Sequence, residues 1–132
     1  MTRLVYPNIW YDLQDSPSAR AELLDYVSHV VCWNDRGSPI RSSGADNLLG
    51  FVLDDYRMDE QIDELVGKIV FSDEAAALAD FVKELRNFID EVRTVDTRLS
   101  RIHECVAPDA LVLSARRLLQ RLNERGRPIF ED

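Results

Sequence analysis

Cysteine is scarce in this chain, with two among 132 residues, Cys32 and Cys105. A small secreted scaffold framed by disulfides needs more than that, so both are expected to be reduced, buried thiols acting as small hydrophobes. Long apolar runs are also missing. No window approaches the ~20 apolar residues needed to span a bilayer. The opening MTRLVYPNIWYD lacks the apolar stretch of a signal peptide, and the expected location is the cytoplasm, away from any membrane. Basic residues are in deficit, sixteen against twenty-four acids for a net charge of −8. Phosphate-held partners need clustered Lys and Arg to release counterions, so no nucleic acid is expected. Catalytic signatures are lacking as well: there is no nucleophile elbow, no dinucleotide fingerprint and no phosphate loop. Gly67-Lys68 has no upstream glycine at the required spacing and no following Ser or Thr. Enzymatic function is therefore the weaker class, and no cofactor is expected.

What is present is an ordinary globular composition, 45% hydrophobic and 30% charged, in a length that suits one domain with one core. Hydrophobic spacing then points to helices. Asp15-Ser16-Pro17 reads as a helix start, a capping side chain followed by proline at the first helical position. Ala19, Leu23, Tyr26, Val27, Val30 and Val31 recur at helical spacing beyond it, with Arg20, Glu22 and Asp25 on the polar side. This helix is expected to end near Trp33 or Asn34, before a turn-rich surface loop over 35–46. The six-residue run Leu48-Leu49-Gly50-Phe51-Val52-Leu53 suits a buried strand or a buried helix, and its flanking Asp46-Asn47 and Asp54-Asp55 favour a short helix.

Residues 59–67 form a weaker amphipathic segment ended or kinked by Gly67. Ser72-Asp73-Glu74 opens the clearest helix, with Ala75, Leu78, Phe81, Val82, Leu85, Phe88, Ile89 and Val92 on its apolar side. Residues 94–107 read as a linker, and Pro108-Asp109 starts a last helix that buries Leu111, Val112, Ala115, Leu118, Leu119 and Leu122 and stops at Gly126. The expected architecture is all-α: a single domain over 1–132, a bundle of four or five helices, with an irregular aromatic arm over 1–14 docked on its core.

Charge is unevenly spread. Residues 46–93 hold thirteen acids and five bases, so this third carries the whole imbalance. Such a surface steers basic partners, although a solvated helix face kept soluble by charge has the same composition. The densest part is Asp54-Asp55-Tyr56-Arg57-Met58-Asp59-Glu60, with Asp63 beyond. It lacks the spacing of a calcium loop. Asp54, Asp55, Tyr56, Asp59, Glu60 and Asp63 are the candidate partner-binding residues, together with Trp33 at a helix end beside the 35–46 loop. Trp and Tyr serve equally as core anchors or interface hot spots. His29, Cys32, His103 and Cys105 are the weak candidates for a metal, but their spacing matches no zinc finger, so no metal site is expected.

Tyr6-Pro7, Phe51-Val52-Leu53-Asp54-Asp55, Ser72-Asp73-Glu74-Ala75 and Ala115-Arg116-Arg117-Leu118-Leu119 give the chain a resemblance to a group of short, uncharacterised helical bacterial proteins. The resemblance spans most of residues 5–123. It implies a helical architecture and a bacterial source, and no catalytic residues. Size and charge together lead to the expectation of a protein-binding module of the immunity or antitoxin type that recognises a basic partner. The other classes are a small-ligand or hydrolytic protein using acids 54–60 in an interhelical cleft, and a structural homodimer.

Overall fold

The computed structural model describes residues 3–38, 40 and 45–131. Five α-helices carry the fold: α1 (Pro17–Val31), α2 (Ala45–Leu49), α3 (Ile62–Leu65), α4 (Ala75–Arg93) and α5 (Asp109–Asn123). Strands β1 (Arg3–Val5) and β2 (Ile129–Glu131) form a two-stranded antiparallel ribbon with Leu4 opposite Phe130. This is the all-α bundle expected from the spacing of apolar residues. Helix α5 packs against both α1 and α4 and is the central element.

Helix α4 follows its pattern closely. Leu78, Phe81, Val82, Leu85, Phe88, Ile89 and Val92 are all buried, and Ala75 is half-buried at the first turn. On α5, Leu111, Ala115, Leu118 and Leu122 face the core. Gly126 ends that segment with φ +90°, a conformation that suits a residue without a side chain. A Cβ there would lie 2.8 Å from Cγ of Pro7, so the arm and the end of α5 meet at a glycine.

Helix α1 ends at Val31 with Cys32 as its cap, slightly short of the expected Trp33 or Asn34. The run from Leu48 to Leu53 is helical, as its flanking residues indicate. Helix α2 passes directly into a π turn over Gly50–Asp55, in which Tyr56 N–H donates to the Phe51 carbonyl at 3.2 Å. Leu48, Phe51 and Val52 of this stretch reach the core. Helix α3 is one turn only. Asp59 and Glu60 precede it in a tight turn, and Gly67 follows with φ +83°.

Three expectations are corrected. Arg20, assigned to the polar side of α1, is completely buried. The 35–46 stretch is not uniformly a surface loop, because Ser38 and Ile40 are buried; residues 39 and 41–44 lie outside the described residues. Cys32 is exposed and Cys105 half-buried, so neither is a core thiol. Val30 and Trp33 occupy the inward positions around Cys32, which turns its thiol outward.

The arm over 1–14 includes strand β1 and a 3₁₀ turn, Asn8–Asp12, which inserts Trp10 into the core. Trp10 Nε1 donates to the Arg125 carbonyl at 2.9 Å. Beneath it lies a buried ion pair. Arg20 Nη1 and Nη2 reach Glu74 Oε1 and Oε2 at 2.7 and 2.6 Å, and both side chains are 1% exposed. The same guanidinium donates to the carbonyls of Ile69 (3.1 Å) and Leu122 (3.3 Å) and lies 5.2 Å from the ring centres of Trp10 and Phe71. Glu74 Oε1 also accepts the Phe71 N–H at 2.8 Å, which ties off the start of α4. One buried cation thus ties α1 to the loop before α4, to the residue that caps α4 and to the last turn of α5.

Candidate functional site

The acidic segment is held to the body by apolar side chains. Met58 is fully buried and its N–H donates to the Val52 carbonyl at 2.8 Å, while Leu65 closes the other end. Arg57, with φ +48°, makes the sharp turn that leads into the first anchor, Met58. With those residues turned inward, Asp54, Asp55, Asp59, Glu60, Asp63 and Glu64 are all exposed, and they form an acidic ridge from the end of the π turn through α3.

Two arginines reach the ridge. Arg57 donates from Nε and Nη2 to Glu60 Oε2 at 2.9 and 2.6 Å, and Arg86 of α4 approaches Asp59 at 3.8 Å. Among the described residues, Asp54, Asp55, Asp63 and Glu64 form no ion pair. The arginines of the last helix do not come to the ridge either. Arg116, Arg117 and Arg121 are exposed on α5, and Arg125 binds Asp73 at 2.7 Å. Among the described residues, of the thirteen acids in 46–93 only Asp73 and Glu74 pair with a cation from outside that segment, Arg125 and Arg20 respectively.

Tyr56 stands beside the ridge, half-buried against Phe51 with ring centres 4.9 Å apart. Its hydroxyl donates to Asp15 Oδ2 at 2.7 Å, and Lys68 Nζ lies 5.7 Å from its ring centre. Burial, then the hydrogen bond to Asp15 and the surrounding carboxylates, push the Tyr56 phenol well above its ordinary range. Burial and Glu22 raise the Tyr26 phenol in the same sense. The contact with Asp15 spans 41 positions, and no local pattern announces it.

Trp33 does not belong to this surface. It is fully buried, packs edge-on against Phe88 at 5.4 Å, and donates from Nε1 to the Cys105 carbonyl at 2.9 Å. Its neighbour Asn34 binds Ala107 twice, donating to its carbonyl at 3.0 Å and accepting its N–H at 2.8 Å. The pair therefore fastens the 94–107 linker, and Trp33 is corrected from a partner-binding residue to a core anchor.

Among the described residues, no group of three or more His, Cys, Asp or Glu is placed to hold a metal ion, so His29, Cys32, His103 and Cys105 do not converge. A groove of about 350 Å³ between α3 and α4 is lined by Met58, Asp59, Ile62, Val82, Lys83 and Arg86. Asp59 is the only acid of 54–60 that lines it. No described helix is long and apolar enough to cross a membrane. Comparison with models of protein families, with curated proteins and with solved structures returned no match, so what the ridge can do is argued from its own residues.

Proposed function

We propose that the chain is a small cytoplasmic protein-binding module whose acidic ridge, Asp54 to Glu64, receives a basic protein surface in the manner of an immunity or antitoxin protein. The observation that carries this reading is the set of four exposed carboxylates, Asp54, Asp55, Asp63 and Glu64, with no cation paired to them among the described residues, on a segment pinned by Met58 and Leu65. Opposite charge on a rigid support raises the rate of encounter and selects partners by sign. Asp59 and Glu60, already held by Arg86 and Arg57, would exchange those partners for ones supplied across the interface.

Capture from native host extract tests the reading. The immobilised chain is expected to retain a basic protein at low salt and release it at high salt, because exposed charges are screened. Replacing Asp54, Asp55, Asp63 and Glu64 together by Lys should abolish retention without unfolding the chain. The reading fails if nothing is retained at low salt, or if the four-lysine variant retains the same protein.

A further inference from the structure

A second surface, away from the ridge, has the features of a contact between two copies of the chain. Leu4 and Phe130 are directly opposed in the ribbon and so project from the same face of it. Both line a groove of about 410 Å³ together with Leu24 and Asp25 of α1, Leu119 of α5 and Arg127. Phe130 is 74% exposed and Leu4 41%, two bare apolar side chains side by side on one face of a short ribbon. A single patch thus presents an exposed aromatic ring beside an apolar hollow, as an isologous two-fold contact requires.

Charge points to the same occupant. The chain as a whole carries −8, which opposes self-association, yet this patch is balanced: Asp25 and Arg127, the charged residues that line the groove, contribute one charge of each sign. Neither Asp25 nor Arg127 forms an ion pair within the described residues; Arg127 donates only to Asn123 Oδ1 at 3.0 Å. We infer that two copies of this chain associate through the ribbon face, with Phe130 of each entering the groove of the other and Asp25 of each meeting Arg127 of the other.

The test is the solution mass of the full chain across a concentration series, by light scattering or sedimentation equilibrium. The expected result is a rise from the 15.2 kDa monomer to twice that mass. F130D should weaken association at least tenfold, with an unchanged helical circular-dichroism spectrum. D25R and R127D should each be monomeric alone. An equimolar mixture of the two should recover the dimer, because a two-fold axis then sets opposite charges against each other at both contacts. A chain that stays monomeric at every concentration overturns the inference and leaves the groove to a foreign segment. So does a dimer indifferent to F130D, or a mixture that stays monomeric while each variant is folded. Lysine substitutions on the ridge leave the dimer unchanged, so failure here is distinct from failure of the acidic-ridge reading.

Discussion

Arg20 is the residue on which the most elements depend. An arginine in a core is tolerated only when its charge is met and its N–H groups are shared out, and here one carboxylate and two carbonyls do so while Nε finds no partner. Glu74→Ala would leave that cation buried and uncompensated, a loss on the order of 3–5 kcal/mol in chemical denaturation. The double replacement Arg20→Met with Glu74→Leu should recover most of the loss, since apolar groups of similar size need no such pairing. Gly126→Ala should cost on the order of 1–3 kcal/mol, because the positive φ and the Pro7 ring 2.8 Å away both act against a methyl group. Asp73 adds a pH-dependent contribution. Its hydrogen bond and ion pair with Arg125 hold its carboxyl below the usual value of about 3.9. A carboxyl lowered in the folded state stabilises above its unfolded value and loses that stabilisation as pH falls through the folded one. The stability gap between the parent chain and Asp73→Asn should therefore be present at neutral pH and close below about pH 4, as followed by denaturation across a pH series.

At the scale of elements, the long helices and the segments between them are held by different means. Helices α4 and α5 bury continuous apolar stripes, and burial of that kind makes most of the stability of a helix in a protein. The 94–107 linker has few buried side chains, Ile102 and Ala107 among them, and is fastened by hydrogen bonds from Trp33 and Asn34. Asn34→Ala removes both bonds to Ala107 and should cost about 1–3 kcal/mol. Its sharper signature is local: amide exchange should rise over 100–108 while α4 and α5 keep their protection. The π turn shows why an unbroken apolar run is ambiguous. Leu48 to Leu53 shows no period in the sequence because the half-buried Leu49 and Leu53 are as apolar as Leu48, Phe51 and Val52, which fill the core.

For the whole molecule, the negative charge lies mostly outside its internal pairings, and salt should act on recognition more than on folding. Under the proposed acidic-ridge reading, affinity for a basic partner should fall steeply between low and physiological ionic strength, while the denaturation midpoint changes little, because the buried Arg20–Glu74 pair is shielded from screening. The amino-acid order alone determined the helical class, the faces of α4 and α5 and the placing of the acids on one stretch of chain, since each of these is written in local spacing. The acidic candidates were legible for the same reason: six carboxylates within eleven residues need no tertiary contact to be seen. Only the tertiary structure decided that Trp33 is interior, that Arg20 is a core cation, that Asp15 holds Tyr56 and that the two ends of the described chain pair as a ribbon. Each of those depends on groups between about 40 and 130 positions apart, where burial and long-range hydrogen bonds override what a residue's type and neighbours suggest.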